Sequence, residues 1–263
     1  MNKEPLILSS TDEFGVATLT LNRPEKLNTF HQDMLDLWSK LLNELLANPA
    51  VKVIVVRGNG KAFCAGGDIG NMLERMNDDS MARKNYIWEH VHPIALALDR
   101  AEKPVIAAVH GAARGAGCDM ALLCDLRIAA ESASFAESYI NSGLIAGDAG
   151  TYTLPRIIGT ARALELFWTG RAVGAQEAFQ LGMVNRVVPD DQLLSATYEL
   201  AHQIAKQPQY AVRFYRRAVY QGLRMELAAH LDMVSSHMSI LRDTQDHREK
   251  VDEFLATRKH QKP

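Results

Sequence analysis

The sequence is poor in cysteine, in net charge and in long apolar runs, and each scarcity excludes a class of protein. Only three cysteines occur in 263 residues, Cys64, Cys118 and Cys124, which excludes a disulfide framework, and none has metal-ligand spacing. The net charge is −2, so no overall field draws the chain to nucleic acid or to a membrane. No apolar run approaches the ~20 residues that span a bilayer, and the first residues lack the apolar core of a signal peptide. We therefore expect a soluble cytoplasmic protein with free thiols.

Known phosphate-binding motifs are also lacking. The sequence contains no G-x-x-x-x-G-K-[ST], and "GAARGAG" at 111–117 does not have G-x-G-x-x-G spacing. The chain does contain 47% hydrophobic residues, which is enough for a substantial core. Strands and helices alternate over the first two thirds, and helical patterns dominate after about residue 151. This order predicts an α/β core followed by a C-terminal helical region.

Hydrophobic periodicity and turn-forming residues predict where the strands and helices of the core lie. Two β-rich runs around Gly15 predict a hairpin over 6–22, and an apolar stripe at helical spacing predicts a helix over 30–49. Continuous apolar, β-branched runs predict buried strands. The segments that follow them predict an extended stretch and a loop. The strands are expected at 51–58, 104–109 and 126–130, the extended stretch at 132–140 and the loop at 142–150.

Two glycine-rich loops, 58–70 and 111–117, each follow a buried strand, and a helix is predicted to begin where each loop ends. A helix start leaves backbone N–H groups unpaired, and glycine lets a ligand approach the backbone closely. Two such loops facing each other would offer two N–H donors to one oxygen that gains charge during a reaction. Asp119 is predicted to lie within the first turn of the second helix. The alternative is that both loops are ordinary strand-to-helix turns and that Asp119 only complements the helix dipole.

Four ordered segments carry a family resemblance over nearly the whole chain. They are "LNRPEKLNTF" (21–30), "GKAFCAGGDI" (60–69), "KPVIAAVHGAARGAGCDMALLCDLRIAAESASF" (103–135) and "LPRIIGTARALELFWTGRAVGAQEAFQLGMVNRVVP" (154–189). On these segments the chain resembles the crotonase (enoyl-CoA hydratase/isomerase) family. The resemblance implies a spiral of ββα units over 1–195, which holds an acyl-CoA site, and a helical oligomerisation region over 196–263. It also implies a homotrimer or a hexamer made of two trimers.

The resemblance assigns the binding of an acyl-CoA thioester to particular residues. The thioester oxygen is expected to accept hydrogen bonds from the backbone N–H groups of Gly67 and Ala116; the family usually has glycine at the second position. Coenzyme A enters only as part of the substrate, and no tightly bound cofactor or metal is expected. The residues expected to contact coenzyme A are Lys26, Leu27, Ala65, Asp68 and Ile69, together with Phe254, Arg258 and Lys259 near the C-terminus.

The acid–base groups depart from the hydratase pattern. Asp119 occupies the position of the first glutamate of family hydratases, and Tyr139 occupies the position of the second. A phenol with an ordinary pKa of ~10 is a poor general base at neutral pH. Glu137, which would share a strand face with Tyr139, could replace the missing acid or pair with Arg127 or Arg156. Asp148 could supply a third carboxyl or cap the helix that begins near Thr151.

The resemblance therefore implies an acyl-CoA enzyme of enoyl-CoA hydratase/isomerase type that stabilises a thioester enolate, as in fatty acid metabolism. Asp119 would transfer a proton with help from Glu137, Tyr139 or Asp148, as in the lyase reaction of enoyl-CoA hydratases. The alternative reaction is isomerisation, decarboxylation or hydrolysis of a particular acyl-CoA, because Tyr139 replaces the second acid. A non-catalytic RNA-binding or scaffolding homologue is the remaining alternative, although no dense basic segment supports it.

Overall fold

The structure is a computed structural model that describes residues 4–259, with side chains described through residue 256. The chain forms two compact units, which divide between His202 and Gln203.

The first unit contains two sheets. Its nine strands are β1 (Ile7–Thr11), β2 (Val16–Leu21), β3 (Val53–Gly58), β4 (Val105–Val109), β5 (Ala112–Arg114), β6 (Leu126–Ala130), β7 (Ser134–Ala136), β8 (Val173–Gly174) and β9 (Arg186–Val188). Six strands form one sheet in the order β1-β2-β3-β4-β6-β9, and three form a second sheet in the order β5-β7-β8. The predicted hairpin is confirmed, because β1 pairs antiparallel with β2 and Ile7 lies opposite Leu21.

The strands of the larger sheet from β2 onward pair in parallel. β3 and β4 are buried along almost their whole length, as their continuous runs of valine, isoleucine and alanine predict. β4 then leads directly into β5 of the smaller sheet, and β6 leads in the same way into β7. These two passes of the chain each add one strand to each sheet before a helix follows, which is the predicted ββα arrangement.

Helices cover the sheets of the first unit. They are α1 (Gln32–Ala47), α2 (Ile69–Glu74), α3 (Ser80–Tyr86), α4 (His92–Arg100), α5 (Ala116–Leu123), α6 (Gly150–Ile158), α7 (Thr160–Thr169), α8 (Ala175–Leu181) and α9 (Leu193–Ala205). The apolar stripe of α1 buries Met34, Trp38 and Leu42 completely, and the Trp38 ring lies 5.4 Å from the ring of Phe30. A π-helical turn, Ile87–Val91, joins α3 to α4.

The second unit is helical. It contains α10 (Gln209–Gly222), α11 (Leu227–Arg242) and α12 (Gln245–Lys259), as the sequence predicts for the C-terminal region. α10 and α11 pack against each other. Among the described residues, no helix combines the length and the apolar character needed to cross a membrane.

One predicted element is wrong. Residues 132–140 are not extended throughout, because β7 ends at Ala136 and a 3-10 helix, Ser138–Ser142, follows. Glu137 has φ −84° and ψ 67°, so the alternation that would place Phe135, Glu137 and Tyr139 on one strand face stops there. The segment "SASFA" at 132–136 predicts an extended stretch, but nothing local marks where it bends.

Candidate active site

The two glycine-rich loops of the first unit lie side by side. The Phe63 N–H donates to His110 O over 2.9 Å, and the Cys64 N–H donates to Ala112 O over 3.0 Å. The Arg114 N–H donates back to Cys64 O, also over 3.0 Å. The first loop therefore runs parallel to β5 and reaches the start of α5 with it.

Glycine is required where the loops touch. Gly66 has φ +99°, and a Cβ there would lie 2.8 Å from Arg114 O. A Cβ on Gly117 would lie 2.2 Å from Cys64 O. Any larger residue at either position would push the loops apart, so the glycines of both loops set the distance between the two backbones.

Each loop presents one backbone N–H without an acceptor. Phe30 donates to Gly66 O and accepts from the Asp68 N–H, both over 2.8 Å, so the intervening Gly67 N–H points to the opposite side of the segment. Ala116 is the first residue of α5, where helical N–H groups have no partner within the helix. Neither the Gly67 nor the Ala116 amide has an acceptor within the described part of the chain. A Cβ on Gly66 would lie 3.8 Å from the Ala116 nitrogen, so the two segments are in contact here.

Asn28 holds the first loop in place. Its buried Nδ2 donates to Asn59 O, Ala62 O and Phe63 O over 2.9, 2.8 and 3.2 Å. Asn28 itself lies in the left-handed region, with φ 57°. The "RPEKLN" segment thus fixes the loop that carries Gly67.

Three acidic or phenolic groups meet beside the start of α5. The Tyr139 hydroxyl lies 2.8 Å from Asp119 Oδ2 and 3.1 Å from Asp148 Oδ2. The Asp148 N–H donates to the same Asp119 oxygen over 3.2 Å. A Cβ on Gly115 would lie 3.6 Å from the Tyr139 ring, which places the phenol next to the residue that precedes Ala116. The side chains of Asp119, Tyr139 and Asp148 therefore form one hydrogen-bonded chain at the end of the second glycine loop.

Glu137 adjoins this chain. Its side chain is buried, and a Cβ on Gly150 would lie 2.0 Å from Asp119 Oδ1 and 3.0 Å from Glu137 Oε2. Glu137 thus reaches Asp119, although not by the predicted strand face. It does not pair with Arg156, whose guanidinium donates to Tyr152 O and lies over the Tyr152 ring.

Burial raises the pKa of every group in the cluster. Burial, followed by the neighbouring charge of Asp119, raises the pKa of Asp148 to about 7 and that of Glu137 to about 10. Burial also raises the pKa of Asp119 above its ordinary value. The pKa of Tyr139 lies well above its ordinary value, because burial and the charge of Asp119 both oppose the phenolate. Within the described residues, none of the three carboxyls forms an ion pair with a basic side chain.

Asp148 does not cap a helix, which corrects one of the two sequence interpretations. α6 begins at Gly150, and its N-cap residue is Ala149, with φ 89° and no side-chain cap. The Asp148 carboxyl instead faces Tyr139.

Sequence reasoning did not single out two residues that position the cluster. The His92 Nε2 donates to Gly147 O over 2.9 Å and so ties α4 to the loop that carries Asp148. Gly150 leaves room for Asp119 Oδ1. A motif signal exists for Gly150, which ends "AGDAG", but none exists for His92, whose partner is 55 residues away.

The residues predicted to contact coenzyme A fall into two groups. The Ala65 N–H donates to Leu27 O over 2.9 Å, so these two lie together beside the first loop, with exposed Lys26 next to Leu27. Ile69 is 73% exposed, whereas the Asp68 carboxylate accepts from Arg23 over 2.6 Å and caps α2. The other group belongs to the second unit or lies outside the described residues. Phe254 is exposed on α12, and the side chains of Arg258 and Lys259 are not among those that the structure describes.

The thiols near the loops are poor nucleophiles. Cys64 and Cys118 are completely buried. Burial raises the pKa of Cys64 to about 12 and also raises that of Cys118, so both remain thiols at neutral pH. No group of His, Cys, Asp and Glu side chains in the described residues has the arrangement of a metal site.

Comparison with known proteins supports the resemblance seen in the sequence. A model of the enoyl-CoA hydratase/isomerase family matches residues 11–262. The chain is 34% identical to 1,2-epoxyphenylacetyl-CoA isomerase of Escherichia coli, with 97% of each chain covered. It is also 34% identical to crotonyl-CoA hydratase of Syntrophomonas wolfei, with 98% of each chain covered.

Solved structures agree in fold. The structure of enoyl-CoA hydratase from Mycobacterium smegmatis is 34% identical, covers 97% of each chain and superposes with a TM-score of 0.90. That of enoyl-CoA hydratase from Bacillus anthracis is 31% identical, covers 96% of this chain and 97% of that one, and has a TM-score of 0.89. The chain has the crotonase fold and belongs to the enoyl-CoA hydratase/isomerase family, whose members process acyl-CoA thioesters.

Proposed function

We propose that this enzyme isomerises enoyl-CoA thioesters by moving a proton between the two ends of an allylic system. The observation that carries the proposal is the single phenolic proton of Tyr139 between Asp119 and Asp148. A hydroxyl donates to one acceptor only, so the second contact is satisfied when one carboxyl carries a proton and donates to the phenolic oxygen. Asp119 Oδ2 accepts from both the Tyr139 hydroxyl and the Asp148 N–H, so we assign the proton to Asp148 and the negative charge to Asp119. The raised pKa of Asp148, about 7, agrees with this assignment.

The proposed reaction uses the ionised and the protonated carboxyl in turn. Asp119 removes a proton from the α-carbon of a 3-enoyl thioester, and the electrons move into a dienolate. The amides of Gly67 and Ala116 stabilise its oxygen. Asp148 gives its proton, through the Tyr139 hydroxyl, to the γ-carbon, which forms the conjugated 2-enoyl thioester. The proton that Asp119 took up then passes through the same hydroxyl to Asp148, which restores both carboxyls. One C–H bond breaks and one forms, with no net oxidation and no added water.

Hydration, the lyase reaction, is the second candidate. The relatives named crotonyl-CoA hydratase and short-chain-enoyl-CoA hydratase favour it, as does the motif position of Asp119. A hydratase must hold a water molecule between two acids. Here the Tyr139 hydroxyl stands at the second position and already donates to Asp119 Oδ2, which favours isomerisation over hydration.

The remaining assignments complete the proposal. Coenzyme A is bound as part of the substrate by Lys26, Leu27, Ala65, Asp68 and Ile69, and by Phe254 and Lys259 of a neighbouring subunit, without a tightly bound cofactor. A trimer or hexamer and a cytoplasmic location belong to the same proposal.

The first prediction tests the reaction itself. Purified enzyme supplied with 3-enoyl-CoAs of several chain lengths is expected to produce the conjugated thioester, followed by its ultraviolet absorbance. Asp119→Asn should lower kcat by about 10²- to 10⁴-fold, because the base is lost while the side-chain shape remains. Asp191→Asn, at an exposed position outside the cluster, is the matched control and should not change the rate. Absence of isomerisation across the series would contradict the proposal.

The second prediction tests the proposed oxyanion contact. Gly67→Pro removes the backbone N–H and should lower kcat by about 10²- to 10³-fold. Gly67→Ala keeps the N–H, and its Cβ would meet only Met72 Sδ at 3.8 Å, an ordinary contact. The alanine variant is therefore expected to retain most of the activity. Equal rates for the proline and alanine variants would argue against a role for this amide.

The third prediction concerns the departure at Tyr139. Tyr139→Glu restores a second acid and should raise the rate of crotonyl-CoA hydration by at least about tenfold, while isomerisation falls. Tyr139→Phe should lower both rates, since it supplies neither hydroxyl nor acid. A folded Tyr139→Glu variant without increased hydration would show that the phenol is not what limits this reaction.

The fourth prediction follows from the raised pKa of Asp148. In the folded protein Asp148 keeps its proton up to about pH 7, whereas in the unfolded chain it loses the proton above the ordinary pKa of 3.8. Between these two pH values, folding is therefore coupled to the uptake of a proton. This stabilising contribution is complete below the ordinary value and is lost as the pH rises through the folded value. Relative to Asp148→Asn, the wild-type free energy of unfolding should fall by up to about 1.4 kcal/mol per pH unit over this interval. Urea unfolding at a series of pH values measures this free energy. Parallel pH dependences for the wild type and Asp148→Asn would refute the prediction.

A further inference from the structure

Glu137 is a buried acid that the proposed reaction does not use. Its side chain is 2% exposed, at the point where β7 ends. Neither Oε1 nor Oε2 has a hydrogen-bond partner within the described part of the chain. A carboxylate in this state would be costly, because burial removes water and the neighbouring Cys118 thiol is only a weak donor.

One oxygen of the Asp119 carboxyl lacks a hydrogen-bond donor. Its Oδ2 accepts from the Tyr139 hydroxyl and from the Asp148 N–H, but its buried Oδ1 has no donor among the described residues. Oδ1 and Glu137 Oε2 lie on the same side of Gly150, where a Cβ would come within 2.0 and 3.0 Å of them. One proton between Glu137 Oε2 and Asp119 Oδ1 would give each of these two oxygens a partner.

The charges that act most strongly on Glu137 oppose its ionisation. The titratable groups around it are Asp119, Cys118, Tyr139 and Asp148, and all are acids. Arg114 is the cation of the adjacent strand, and its guanidinium donates to Ser134 O and, over 2.9 Å, to Ser134 Oγ. Like-charge repulsion from Asp119 therefore adds to the cost of burying a Glu137 carboxylate.

We infer that Glu137 is a positioning residue that keeps its proton and donates it as a hydrogen bond to Asp119 Oδ1. Asp119 is then held at both oxygens, by Glu137 at one and by Tyr139 and the Asp148 amide at the other. Glu137 stabilises Asp119 as the single ionised carboxyl of the cluster and does not exchange a proton with substrate. The raised pKa of Glu137, about 10, agrees with this protonation state. The effect on rate rests on the proposed function, whereas the protonation state does not.

Three variants separate a neutral donor from an acid that ionises. Glu137→Gln keeps a neutral N–H donor of similar size and should keep kcat within about threefold of the wild type, with the same pH–rate profile. Glu137→Leu removes the donor and should lower kcat by about 10- to 100-fold, because the hydrogen bond to a charged acceptor is lost. Glu131→Gln changes an exposed glutamate and is the control. Restoration of the rate by glutamine, after its loss with leucine, is the result that a merely space-filling role would not give.

Infrared spectroscopy tests the protonation state without any substrate. At about pH 8, above the ordinary carboxyl pKa, the wild type should show a C=O stretch of a protonated carboxyl that Glu137→Gln loses and Glu131→Gln retains. A wild-type spectrum without that band would overturn the inference, as would a Glu137→Gln rate as low as that of Asp119→Asn. If the wild type isomerises no acyl-CoA, the infrared band still decides the inference, so the two failures are distinguishable.

Discussion

Close contact between two backbones is the constraint on which the site depends. The first glycine-rich loop, which carries Gly67, touches the second loop where α5 begins. The contacts are at Gly66 and Gly117, where a single added carbon would collide with a carbonyl oxygen. That contact aligns the two loops along their hydrogen bonds at Cys64 and leaves one amide of each without an acceptor. The buried parallel strands β3 and β4 deliver both loops to the same edge of the sheet, because parallel strands end on the same side.

The acids beside this contact obey a second constraint, which is the absence of a counterion. Within the described residues, three buried carboxyls and a half-buried phenol lie together and form no ion pair. Buried carboxyls without a counterion lower their electrostatic cost by retaining their protons. The cluster is therefore held together by hydrogen bonds between donors and acceptors, and not by ion pairs. A site of this kind transfers protons among neighbours with little change in its total charge, which suits reactions at carbon next to a thioester.

The sequence predicts the fold and the loops well, for identifiable reasons. Buried parallel strands appear as continuous apolar runs, and the glycines mark contacts that no other residue tolerates, so 58–70 and 111–117 were predicted from local signals. The conformation after Ala136 was not, because the turn at Glu137 depends on what Glu137 packs against. For the same reason, the sequence leaves open which acid accompanies Asp119. His92 contacts the loop that carries Asp148 from an element 55 residues earlier in the chain, and no spacing rule records such a contact.

Ala149 lies between the acid Asp148 and the first residue of α6, in a left-handed conformation that alanine adopts at a cost of about 1–2 kcal/mol. Packing on both sides holds it there, since Ala146 and Gly150 are buried and His92 retains Gly147. The contacts on both sides therefore hold Ala149 in a strained backbone conformation. Loosening those contacts would relieve the strain, but it would also remove the stabilisation that the contacts provide. Glycine, which adopts a positive φ without this cost, would relieve the strain but would also leave the peptide after Asp148 freer to change conformation.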